Sequence, residues 1–140
     1  VDGAINLSSN KTYTLSITLI NGLAAITAPE YNITAEVEEE GDEHIFFFAW
    51  TNNVFSNPTG NGNIDNRNDA VNYTGAANAK DENGRPLGLT TTWTTASGTG
   101  TVLSGTFHVL LKHQPDLKSD TSGSTLGETD LDLSFTINVN

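Results

Sequence analysis

Only three side chains in this sequence normally titrate near neutrality, the histidines His44, His108 and His113. His108 and His113 fall on one expected strand at odd spacing, so they face opposite sides and cannot chelate one ion without a bulge. His113 opens the run His113-Gln114-Pro115-Asp116. It reads either as a metal or ligand contact, or as part of a strand-end turn in which proline blocks further pairing. Asp and Glu number 17, but no pair has a context that would push its pKa values apart, as acid–base catalysis requires. There is no Gly-x-Ser-x-Gly elbow, His-Glu-x-x-His, Walker loop or dinucleotide glycine fingerprint. With no cysteine there is no thiolate nucleophile, thiolate metal site or disulfide. A glycosidase would need two positioned carboxylates in a cleft, which nothing here signals. The chain is therefore expected not to be an enzyme.

One stretch has the oxygen spacing of a calcium loop. Asn61, Asn63, Asp65 and Asp69 fall at positions 1, 3, 5 and 9, and Arg67 can offer its carbonyl at position 7. Position 6 is Asn66 where such a loop wants glycine, and position 12 is Asn72 where it wants a bidentate glutamate. A calcium site made by these four residues is one reading. The other is an asparagine-rich surface loop whose amides bond locally. Asn-x-Ser/Thr triplets at Asn6, Asn10, Asn32 and Asn72 are about as many as this composition produces by chance and carry no argument for glycosylation.

Six Lys and Arg against 17 Asp and Glu leave a formal net charge of -11. Such a polyanion is repelled by nucleic acid and anionic lipid and attracts cations. No apolar run approaches the ~20 residues of a membrane-spanning helix. An opening at Val1 is what a processed or trimmed chain would show. The 140 residues suit a single domain, with neither an internal repeat nor a composition break.

The elements that must position these residues are strands. Leu131, Leu133, Phe135, Ile137 and Val139 alternate with polar residues, the period of a strand with one buried face. Gly105 to His113 and Lys11 to Ile20 alternate likewise, and Leu87 to Thr95 is threonine-rich around Trp93. Asp81-Glu82-Asn83-Gly84 signals a turn. His44 to Trp50 is apolar on both faces, with Ile45, Phe47 and Ala49 on one and Phe46, Phe48 and Trp50 on the other. We assign Phe47 to the core, together with Leu15, Ile17, Phe107, Val109, Leu111, Leu133, Phe135 and Ile137. The opposite face must then be covered, and Val54, Phe55, Ile64, Val71 and Tyr73 in the long segment Thr51 to Pro86 are the expected cover. Residues 33–40 suit either a strand or a short helix capped by Asn32, and the helix is favoured. The predicted fold is all-β, an antiparallel two-sheet sandwich of immunoglobulin-like or Greek-key type, with one short helix near 33–40.

Several stretches resemble a small surface lipoprotein family of flavobacteria and related Bacteroidota. These are Ile33 to Phe48, with its acidic run ahead of His44; Phe55-Ser56-Asn57-Pro58-Thr59-Gly60, followed by Gly62 to Arg67; Leu89-Thr90-Thr91-Thr92-Trp93; and Gly105-Thr106-Phe107, running on to Leu111-Lys112-His113-Gln114-Pro115. They cover most of the chain from Lys11 onward, in order. The resemblance implies an outer-membrane or cell-surface lipoprotein, often encoded beside TonB-dependent receptors, and so the capture of a nutrient, metal or metal complex. The family bears a lipid-carrying cysteine and further strand-like sequence ahead of this part, both absent here. It also has aspartate more often at the position of Asn61, and it supplies no catalytic residue to carry over.

The expected function is a non-catalytic extracytoplasmic binding module at the bacterial surface, accessory to an outer-membrane receptor. Its candidate binding residues are His44, Trp50, Phe55, Trp93 and His113. The alternative is a structural subunit of a fibre, adhesin or layer, joined to copies of itself through strand edges.

Overall fold

In the computed structural model, which describes residues 3–140, the period-two patterns become two packed sheets. The strands are β1 (Ile5–Leu7), β2 (Thr12–Ser16), β3 (His44–Trp50), β4 (Phe55–Asn57), β5 (Thr90–Thr95), β6 (Leu103–His113) and β7 (Glu128–Val139). A 3-10 turn at Pro29–Tyr31 and one helix, α1 (Ile33–Glu39), lie between β2 and β3. One sheet has the order β1-β7-β6-β3 and the other β2-β5-β4. Every pair is antiparallel except β1 with β7. This is the strand order of an immunoglobulin-like sandwich, so the predicted fold class is the observed one. The short strands β1 and β4 carry too few residues to show a period and were not among the expected strands.

The register of β6 on β7 sets Phe107 opposite Phe135, Val109 opposite Leu133 and Leu111 opposite Leu131, which puts all six on the inner face. The expected alternation of both strands therefore holds. Phe107, Val109, Leu111 and Ile137 are buried, whereas Leu15, Ile17 and Phe135 are partly buried against the core rather than central to it. Leu133 is likewise only partly buried. Helix α1 begins where its cap dictates: Asn32 Oδ1 accepts from Ala35 N at 3.3 Å. The Thr34 hydroxyl accepts from Leu19 N at 2.7 Å and ties the helix to the chain leaving β2, while Val37 turns into the core.

The face of β3 is reversed from the expected one. β3 pairs with β6 so that Phe46 opposes Leu111, Phe48 opposes Val109 and Trp50 opposes Phe107. Phe46, Phe48 and Trp50 therefore share the inner face. Phe47 lies on the outer face in a small separate cluster with Ile45 and Leu110, covered by Ile64, and the Arg67 guanidinium stands 5.9 Å from its ring centre. A one-residue change of register or face exchanges a strand's two apolar sets, and here both sets were apolar. The expected partners of Phe46, Phe48 and Trp50 are still found: Val54, Phe55, Val71 and Tyr73 pack in the same cluster. That cluster is the principal core.

β3 ends its sheet, yet its free edge is occupied. Trp50 N donates to Asn61 O at 3.0 Å, Phe48 N to Asn63 Oδ1 at 3.1 Å and Phe46 N to Leu87 O at 2.8 Å, while Asn63 N donates back to Phe48 O at 2.8 Å. The segment 61–63 can lie this close because residue 62 is glycine. A Cβ there would meet Phe48 O at 2.0 Å, and its φ of +99° is open mainly to glycine.

Candidate functional site

One end of the β3–β6 ladder places His44 directly opposite His113. Cross-strand neighbours on one face stand close enough to touch, and here the imidazoles stack with ring centres 4.5 Å apart and planes 5° from parallel. Each ring has one nitrogen engaged by an oxygen: His44 Nδ1 is 3.0 Å from Glu40 O, and His113 Nε2 is 3.0 Å from Glu43 Oε2. His44 is buried and His113 half-buried.

Above them runs α1, with Glu36 in its first turn and Glu40 as its C-cap, four residues apart and so on one side of the helix. Both line a cleft of about 370 Å³ whose floor holds His44, His113 and Asp130 and whose wall includes Leu19, Ile20 and Ile33. One donor atom each of Glu40, His44 and His113 lies within 4.8 Å of the others. Asp130 Oδ2 is 3.5 Å from His44 Nε2. These side chains could hold a metal ion or grip a small cationic solute.

The ends of the strands are fixed from below by a buried polar network. The Lys118 ammonium donates to Gly41 O at 2.6 Å and to His44 O at 2.7 Å, and it meets Asp81 Oδ2 at 2.8 Å with both side chains out of water. Burial pushes the Lys118 pKa down, against the pull of Asp81. Asp81 Oδ1 in turn accepts from Arg85 N at 2.8 Å and Asn83 N at 3.0 Å, which closes the turn read from the sequence. Gln114, fully buried after β6, donates from its backbone to Glu43 O at 2.7 Å and from its amide to Gly123 O and Leu126 O. Thus Gln114 organises the loop that follows His113, and the proline turn does not act alone.

The sequence candidates divide sharply. His44 and His113 come together in the cleft. Trp50, Phe55 and Trp93 are corrected from binding residues to core: they are 2%, 5% and 2% exposed. Trp50 packs edge-on against Phe55 and Trp93, and both of these pack edge-on against Phe107. The calcium reading loses Asn63, whose amide is wholly buried. Its Oδ1 accepts from Phe48 N, and its Nδ2 donates to Tyr73 OH at 2.8 Å. Asn61 bonds β3 through its backbone, Asp65 is exposed, and Asp69 Oδ1 accepts from Asn66 Nδ2 at 2.9 Å. The local-amide reading of this loop is the one these bonds describe. His108 faces away from His113, as its spacing requires, and pairs with Asp132 at 2.7 Å.

Glu40 and Asp130 were missed. The signal for Glu40 was present, since a helix over 33–40 ends just ahead of His44. Asp130 gave none, because strict alternation places it outward with Asp132. No protein-family model matches the chain, and neither a curated protein nor a solved structure matches it significantly.

Proposed function

We propose that the chain is a non-catalytic binding module of the bacterial cell surface, accessory to an outer-membrane uptake receptor, and that its recognition site is the cleft under α1. The observation that carries this reading is the convergence of two imidazoles and three carboxylates (His44, His113, Glu36, Glu40 and Asp130) around one cavity. A cavity lined with convergent polar groups beside an apolar wall is the usual form of a small-ligand site. The net charge of -11 favours a cationic ligand by attraction over the whole surface. The resemblance to surface lipoproteins supplies the setting of uptake.

The test is an amide NMR titration of the chain with a panel of cationic solutes: divalent metal ions, spermidine, arginine and choline. At least one should give saturable shifts centred on α1, the start of β3 and the end of β6. Shifts centred elsewhere, or none with any member of the panel, would overturn the assignment of the cleft.

A further inference from the structure

Alternation along β7 puts Leu131, Leu133 and Phe135 inward and Asp132 outward, where Asp132 meets His108. By the same rule Asp130 should also point outward. It does not, because the β6–β7 register slips between Leu111 and Lys112: Leu111 opposes Leu131 while Lys112 opposes Thr129, and Asp130 is left without a partner residue. This is a β-bulge, and a bulge re-aims a side chain. Its effect here is to bring Asp130 Oδ2 to 3.5 Å from His44 Nε2 on the inner side.

We infer that the cleft is a binding site for a borderline divalent cation of the zinc class, with His44, His113, Glu40 and Asp130 as its protein ligands. This rests on the reading of the cleft as the recognition site and names its ligand. Metal-bound histidines nearly always donate their second ring N–H to a carbonyl or carboxylate, which fixes the tautomer. His44 holds the Glu40 carbonyl through Nδ1, leaving Nε2 as the donor; His113 holds Glu43 through Nε2, leaving Nδ1. These bonds leave one nitrogen of each ring for a ligand. Imidazole with carboxylate suits zinc and its neighbours, whereas calcium and magnesium take oxygen ligands. Zinc bonds of about 2.0–2.1 Å bring tetrahedral donors to roughly 3.3 Å of one another. The present spread of up to 4.8 Å among Glu40, His44 and His113 must contract, and Asp130, placed by its 3.5 Å approach to His44 Nε2, must close in with them. Glu40 is exposed and without a side-chain hydrogen bond among the described residues, so it can swing inward. The two parallel ring planes cannot both contain one ion, so the half-buried His113 ring must also turn out of its stack on His44. The remaining volume of the cleft leaves room for a ligand carried by the ion.

The experiment uses the whole chain, with Zn²⁺ titrated by calorimetry and against a chromophoric chelator, and Co²⁺ as an absorbing substitute. Zn²⁺ should bind one to one, raise the melting temperature, and give with Co²⁺ a visible spectrum of four- or five-coordinate form. His113→Gln and Glu40→Gln, both at accessible positions, should each weaken Zn²⁺ binding at least tenfold while leaving the far-ultraviolet dichroism unchanged. Asp130→Asn should weaken it severalfold, and His108→Gln should leave it unaltered. Equal affinity in His113→Gln and wild type, loss in His108→Gln, or a preference for Ca²⁺ over Zn²⁺ would overturn the inference. Spermidine or arginine shifting cleft amides while Zn²⁺ does not would end the metal assignment and leave the cleft standing. Silence from every cation would end both.

Discussion

Tyr73 shows how one side chain can hold two elements together inside an apolar core. Its hydroxyl donates to Phe46 O at 2.7 Å and accepts from Asn63 Nδ2 at 2.8 Å, so it joins β3 to the segment that covers β3's edge. Burial pushes its pKa up to about 12, only partly opposed by the Asn63 hydrogen bond. In the unfolded chain the phenol ionises near 10. The folded state thus keeps a proton that the unfolded state gives up. The resulting stability is fully present below pH 10 and is lost between pH 10 and about 12. Two pKa units correspond to roughly 2.7 kcal/mol. Tyr73→Phe should cost about 1–3 kcal/mol at pH 7, where it leaves the Phe46 carbonyl and the Asn63 amide without their partner. It should also be spared the alkaline loss. Denaturant melts of both proteins at pH 7, 10 and 11.5 should show the gap closing as pH rises; a constant gap would mean that the buried phenol does not control the alkaline limb. At this same scale His44 and His113 were legible as candidates from residue type alone. Their pairing was not, because it depends on a register 69 positions apart in sequence that only the β3–β6 ladder defines.

At the scale of elements, the strands with one polar face could be read directly, and the strand with none could not be oriented. For β7 the alternation of Leu131 to Val139 with Asp and Asn leaves one solution. For β3 both faces are apolar, and the choice between Phe47 and Phe48 as the inner residue is made by what β6 and β5 offer. The aromatic set Trp93, Phe107 and Phe55 stands on the inner side, with Phe48 5.4 Å from Trp93. The long segment after β3 had no period because its work is done by backbone bonds to an edge and by scattered apolar anchors. That work is testable at Gly62. Alanine there would combine an unfavourable φ with a collision against Phe48 O and Ala49 Cα. The cost should be about 2–4 kcal/mol, from overpacking and backbone strain together. Chemical denaturation of Gly62→Ala measures it. A loss under 0.5 kcal/mol would show that segment 61–63 does not bear on the β3 edge as described.

On the scale of the whole molecule, the question is whether the sandwich assembles with itself. Addition of a neighbour's strand needs an open edge with unpaired backbone donors. β3 is the longest of the four edge strands, and its outward donors at Phe46, Phe48 and Trp50 are all taken by the chain itself. β1 and β4 are three residues each, and β4 runs directly into Pro58, which has no N–H to offer. The net charge of -11 adds mutual repulsion at low salt. Against this stand the exposed Leu23 and Ile26, 100% and 77% accessible, which lie on the connection between β2 and α1 and not on a strand edge. We therefore expect a monomer of 14.9 kDa by light scattering across a hundredfold range of concentration. Replacing Asn61, Gly62 and Asn63 by a segment that cannot reach β3 should release its three donors and produce concentration-dependent oligomers. Growth of the unaltered chain with concentration would favour the fibre or layer subunit and direct attention to β2, the remaining edge of more than three residues.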